Sequence, residues 1–325
     1  MMGKPKVAIV LGSTCAGCDY SLLDLGPTVA DVLANVEIVY WPTGADFKLS
    51  DLEAVPDGSV DLTLYEGAIT NSDNEELAKI IRRKSKAVVA YGSCACFGGI
   101  PGLANVSTAD DVMRTAYIET WSTDNKAGIL PQPLSQVDSK HLELPVTYDT
   151  IRALDQVIPV DYYMPGCPPP LSYIEQALTA ALSGKLPPRG YVFASERSLC
   201  DECKRTKEKK NLTAIKRFHE IIPDSQRCLL EQGILCMGPA TRGGCKAPCV
   251  DNNIPCRGCM GPTPEALDQG AKMLSALASI LALDQETGVS EDRLIPLIQQ
   301  VKDPLGTFYR FGLPKSMFRR VILRR

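Results

Sequence analysis

Twelve of the thirteen cysteines in this 325-residue chain fall into three groups of four. The first is Cys15, Cys18, Cys94 and Cys167; the second is Cys200, Cys203, Cys228 and Cys236; the third is Cys245, Cys249, Cys256 and Cys259. Four thiolates are the ligand set of a 4Fe-4S or 2Fe-2S cluster, or of a structural zinc ion. Three such sets in one chain imply a row of redox centres, and hence a path for electrons. The alternative is zinc: Cys200-x2-Cys203, Cys256-x2-Cys259 and Cys245-x3-Cys249 are each compatible with a zinc ribbon, and spacing alone does not separate the metals.

The elements that must position these residues are legible from apolar periodicity. Residues 6–11 read as a buried strand, 22–33 as a helix, 36–41 and 61–65 as strands, 75–84 as an amphipathic helix and 87–91 as a fourth strand. After a poorly patterned stretch over 101–155, residues 160–163 read as a fifth strand, followed by helical spacing of Leu171, Ile174, Leu178 and Leu182. Strands alternating with helices imply an α/β domain with a doubly wound parallel sheet. Ligands bind such sheets at the carboxyl ends of the strands. Cys15 and Cys18 follow the first strand, Glu66 the third, Cys94 the fourth and Cys167 the fifth, so the first group shares one rim. A single cysteine after a strand is usually a small buried hydrophobe; four at equivalent positions are not. This scatter over separate loops of the sheet, together with the proline after Cys167, favours iron-sulfur over zinc.

The helix after Pro168, Pro169 and Pro170 points its N-terminus at Cys167, where its dipole favours thiolate. The Gly12 to Cys18 loop superficially resembles a phosphate loop but lacks the Gly-Lys-Ser/Thr ending. Around Leu186 to Gly190 the character changes, and the expected division is residues 1–187 and 188–325. The second part, dense in cysteine, glycine and proline, reads as a smaller, irregular and helical domain ordered by its metals. It ends in a helix with Thr263 as N-cap, Pro264 in the first turn, an apolar stripe of Leu267, Leu274, Leu277 and Leu281, and Gly288 beyond its end.

Composition excludes several classes. A net charge of -3 with 45% hydrophobic and 22% charged residues gives no reason to expect nucleic acid or an anionic membrane as partner. No run approaches a membrane-spanning length, and the first residues lack a signal-peptide layout. The expected location is the cytoplasm, where thirteen cysteines are metal ligands rather than disulfides. Two basic clusters, Lys204, Arg205, Lys207, Lys209 and Lys210, and Arg319, Arg320, Arg324 and Arg325, read either as solvated faces or as a docking surface for a redox partner.

With these residues assembled, the chain resembles the small, electron-transferring subunit of NiFe hydrogenases nearly end to end. The motifs that carry the resemblance are Thr14-Cys15-Ala16-Gly17-Cys18, Glu66-Gly67-Ala68, Gly92-Ser93-Cys94-Ala95 and Pro165-Gly166-Cys167-Pro168-Pro169. The later part adds Cys200-x2-Cys203, Cys228 to Cys236, Gly238-Pro239-Ala240-Thr241, Cys245 and Cys256-Arg257-Gly258-Cys259. It looks closest to the cytoplasmic methyl-viologen-reducing type of methanogens.

The resemblance implies a flavodoxin-like first domain and three 4Fe-4S clusters. The proximal one would sit on the first cysteine group beside a NiFe site in a separate large subunit, the medial one on the third group and the distal one on the second. Where better-known relatives place a histidine and a proline, this chain has Cys200 and Cys249, which implies four-thiolate clusters of lower potential. An iron-sulfur or flavin acceptor subunit feeding heterodisulfide reductase is the implied partner. Glu66 is then either a solvated loop carboxylate or part of a proton path. Cys96 is expected to point away from the ligands, and His141 and His219 to be structural or surface residues. The rivals are a quinone-reductase-type subunit, which the eight cysteines after Cys167 argue against, and a zinc-stabilised scaffold.

Overall fold

The computed structural model describes residues 4–208, 212, 214–281 and 291–322. Five parallel strands, Lys6–Leu11, Glu37–Tyr40, Val60–Glu66, Ser85–Tyr91 and Tyr162–Met164, form one sheet in the spatial order second, first, third, fourth, fifth. The reversal of direction at the first strand is the hallmark of a doubly wound sheet. Both faces are buried. Val7, Ile9, Leu62, Leu64, Val89 and Tyr91 pack with Leu22 and Ile174 on one side, and Ala8, Val10, Tyr65, Val88 and Ala90 pack with Leu52 and Ile81 on the other. Burial on both sides is why these strands read as continuous apolar runs rather than as alternating ones.

Register sets the rim. Leu11 pairs with Glu66, Glu66 with Tyr91, and Tyr91 with Met164. The four chain exits therefore lie in one row, and Cys15, Cys94 and Cys167 follow within a few residues of it.

Several expectations are corrected. The helix expected over 22–33 is two helices, Gly17–Leu23 and Pro27–Asn35. Gly26 sits at φ 61° and Pro27 opens the second helix; proline cannot donate back to the preceding turn, so the pattern breaks there. The stretch expected to lack pattern contains a helix Ala109–Arg114, a hairpin of Leu134–Val137 with Lys140–Glu143, and a strand Thr147–Arg152 that pairs with Ile69–Asn71.

The later helix spans Gln269–Ala278 and starts at Asp268, whose side chain accepts the Ala271 N–H at 2.9 Å, not at Thr263. Leu277 and Leu281 are core, but Leu267 is 98% exposed, and Gly288 lies outside the described residues. A third core runs from Leu199 to Leu313 and holds Cys236 and Cys256 among its apolar residues. No described helix is long and apolar enough to cross a membrane.

Candidate metal centres

The first group converges at the rim. Cys18 lies within electrostatic reach of Cys94 and Cys167, Cys94 within reach of Cys15, and Cys167 within reach of Cys15. Burial, followed by the neighbouring acid and thiols, pushes Cys18 far above the usual thiol range and Cys94 up to about 12. Thiols crowded and desolvated in this way stay protonated unless a cationic core compensates their charge.

Two glycines make the close packing possible. A Cβ on Gly92 (φ 84°) would collide with the Cys18 sulfur, and one on Gly99 (φ 59°) with the Cys94 sulfur. Cys15 and Cys167 are exposed, which leaves the group open on one side. The helix Leu171–Leu182 begins just after Cys167, with Pro170 as its cap.

Glu66 ends the third strand and is fully buried beneath this group. Its Oε2 lies 3.4 Å from the donating Thr14 hydroxyl, while Oε1 has no partner. Burial, with the nearby Asp19 charge, raises its pKa from 4.5 to about 7, against the lowering hydrogen bonds of Cys18, the Asp19 backbone and Thr14. The solvated-loop alternative is therefore excluded. Asp19 is itself committed: Trp41 Nε1 donates to it at 3.1 Å, and so does the Thr43 hydroxyl.

In the second group, Cys200 lies within electrostatic reach of Cys203, Cys228 and Cys236. These four residues line one small cavity with Arg205, Lys207 and Val250. Burial lifts Cys200 to about 12, with Lys207 pulling the other way. In the third group, Cys259 lies within reach of Cys245 and Cys249, and Cys256 within reach of Cys259. Glu202, between two cysteines of the second group, accepts the N–H groups of Gly244 and Lys246, the latter at 3.0 Å. It thereby holds the Cys245 loop, in which Lys246 and Ala247 both take positive φ.

The three groups touch in series. The Cys259 thiol accepts a backbone hydrogen bond from Cys167, and the Ser93 hydroxyl donates to the Cys259 carbonyl at 2.6 Å. At the other end the Cys256 N–H donates to the Cys236 sulfur at 3.3 Å. The third group thus stands between the first and the second.

Four thiols in each group match the donor set of an iron-sulfur cluster, which takes one thiolate per iron.

Residues outside the groups also find their places. Cys96 is buried and directs its sulfur to the Ala90 carbonyl at 3.1 Å, away from the rim. His141 and His219 are exposed. The basic run after Cys203 is not a uniform solvated face: Lys204 is exposed, Lys207 donates to the Cys200 carbonyl, and Arg205 is buried. All five Arg205 N–H groups reach neutral acceptors, namely the carbonyls of Val250, Asp224 and Arg227 and the Asn253 side chain, at 2.5 to 3.2 Å. Lys209, Lys210, Arg324 and Arg325 lie outside the described residues. Sequence reasoning gave Arg205 only a surface role; no local pattern marks an arginine whose partners lie up to 48 residues away.

Comparison with known proteins gives the family. The family of the NADH ubiquinone oxidoreductase 20 Kd subunit matches residues 15–181, which include the whole first group and Glu66. The chain is 42% identical to the iron-sulfur subunit of the F420-non-reducing hydrogenase of Archaeoglobus profundus, across 98% of this chain and 99% of that one. It is 37% identical to the corresponding F420-non-reducing hydrogenase subunit of Methanothermobacter thermautotrophicus, across 98% and 97%. Among solved structures, the NiFeSe hydrogenase of Dm. baculatum matches with a TM-score of 0.51 at 20% identity, covering 81% of this chain and 96% of that chain, a likeness of fold alone. The chain therefore belongs to the NADH ubiquinone oxidoreductase 20 Kd subunit family and, within it, to the F420-non-reducing type of NiFe hydrogenase small subunits.

Proposed function

We propose that this chain is a three-cluster electron conduit of a cytoplasmic hydrogenase. In this reading the first group holds the proximal 4Fe-4S cluster, the third the medial and the second the distal. The observation that carries it is the serial contact of the groups, through Cys167 with Cys259 and Cys256 with Cys236. Each cluster, when bound, supplies a centre that gains and loses single electrons.

The chain's own residues do the rest. Twelve cysteines hold the iron; Gly92 and Gly99 let two sulfurs of the first group pack against bare backbone; Glu202 fixes the third group's loop from within the second. Glu66, whose pKa burial raises to about 7, can accept and return a proton at its unpartnered Oε1 beside the rim. The H2-splitting NiFe site belongs to a large-subunit partner that faces the exposed Cys15 and Cys167. The electrons leave to an iron-sulfur acceptor subunit on the way to heterodisulfide reductase.

A quinone-reductase-type role leaves the eight cysteines beyond residue 181 unused, since the matched stretch ends there. Anaerobic purification with metal and sulfide analysis decides the matter. About twelve irons per chain are expected, with nickel present only when a larger subunit co-purifies. Zinc without sulfide would show a scaffold instead.

A further inference from the structure

Outside the cysteine groups, the chain gathers an unusual concentration of positive charge. Lys216, Arg217, Arg257, Lys302 and Arg310 line one recess of about 80 Å³. Asp303 is the only acid among its lining residues, and its carboxylate is occupied in accepting the Gly306 N–H at 2.8 Å, where it caps the helix Pro304–Phe308. Glu220, nearby in sequence, accepts the backbone N–H of Arg217. Among the described residues none of the five cations forms an ion pair with a carboxylate.

Arg257 lies within electrostatic reach of Arg310 and Arg217, which repel it, and of the Cys236 and Cys256 sulfurs, which favour its charge. It also sits over the half-exposed ring of Phe218, 5.8 Å from its centroid. Arginine and aromatic side chains grouped in this way are the composition of interface centres, and unneutralised charge of one sign steers an oppositely charged partner.

Position gives the recess its meaning. Its wall includes Leu235 and Pro255, the residues immediately before Cys236 and Cys256, and Arg257 immediately follows Cys256. Those two cysteines are the pair joined where the second and third groups meet. No cysteine of the first group lines it. A recess of this size admits the tips of carboxylate side chains, not a flavin or a nucleotide, whose sites run to roughly 300 Å³ or more.

We propose that this recess is the docking surface of the electron-accepting protein, which presents Asp and Glu side chains to it. The proposal rests on the electron-conduit reading and differs from it in placing the exit here, not at the basic run after Cys203.

The test is zero-length carbodiimide coupling of the intact purified complex, followed by peptide mapping. Lys216 and Lys302 are expected to join Asp or Glu residues of a subunit other than the hydrogen-activating one, and to resist acetylation until the complex is dissociated. Coupling only within this chain or to the hydrogen-activating subunit, or free acetylation in the intact complex, overturns the proposal. As a second arm, the double variant Arg217→Glu, Lys302→Glu is expected to weaken retention of the acceptor at least tenfold, with iron content checking that the chain is loaded. Unchanged retention in a loaded variant also overturns it. Failure of the underlying reading shows separately, as zinc without sulfide in the unmodified chain; an iron-loaded chain with unprotected lysines fails on the docking alone.

Discussion

The backbone N–H of Cys256 donates to the sulfur of Cys236 at 3.3 Å, a direct hydrogen bond between the third and second cysteine groups. Clusters held by groups joined in this way would couple magnetically. In the reduced complex their EPR signals are expected to broaden each other. Cys236→Ala should remove roughly four of about twelve irons and sharpen the remaining signal. An unchanged line shape in a variant that has lost that iron would separate the two groups.

Cys249 supplies the fourth thiol of the third group and is exposed within the short helix Pro248–Asp251. Cys249→Ser is expected to cost about one iron per chain and to produce a 3Fe EPR signal on oxidation. Unaltered iron content and spectrum would remove Cys249 from the ligand set.

Gly92 adopts φ 84° with the Cys18 sulfur where a Cβ would stand. Gly92→Ala is expected to displace that sulfur and lower iron content by about four per chain, while the two later centres keep their EPR signals. Full iron retention would mean that the sulfur has room to shift.

Arg205 ties the second group to the third: it binds the Val250 carbonyl and Asn253 beyond Cys249, and the Arg227 carbonyl before Cys228. Arg205→Met removes five hydrogen bonds, leaving the Val250 carbonyl only the Asn253 N–H and the Arg227 carbonyl only the Gln232 amide, and is expected to cost about 3 kcal/mol or more. Thermal unfolding of the complex and iron loss to a chelator would both register this, with Arg205→Lys recovering part of the loss. Indifference of both measurements would reduce the network to packing.

Glu66 makes a signed pH prediction. Its folded pKa, about 7, lies above the ordinary 4.5 because the side chain is buried, so the folded state prefers the proton. The associated stability is complete below pH 4.5 and is lost as pH rises through 7, a difference of about 3 kcal/mol. Glu66→Gln, neutral throughout, is expected to flatten the pH dependence of stability across that window and to remove a protonated-carboxyl infrared band. If the carboxylate relays protons, hydrogen oxidation should also slow about a hundredfold at unchanged iron content. A pH profile identical to that of the unmodified complex would sink the relay.

Local periodicity carried much of the fold. The first strand lies over residues 6–11 as read, and the third, fourth and fifth strands differ only at their ends, because a strand buried on both faces writes itself as an apolar run. Helix starts were less legible. Thr263-Pro264 is as good a local signal as Asp268, but Asp268 also accepts the Met317 N–H at 3.0 Å, 49 residues away. No local pattern reveals such a contact.

The sequence by itself determined the donor chemistry: twelve thiols in three sets, four of them in loops at equivalent strand ends. Only the tertiary structure decided the environment of charge. It buried Glu66 under the rim, drew Arg205 inside from an apparently solvated run, and assembled five cations from residues 216 to 310 around one recess. The physical reason is range. Strand and helix patterns arise between near neighbours, whereas desolvation and the summing of charges depend on which distant segments the folded chain brings together.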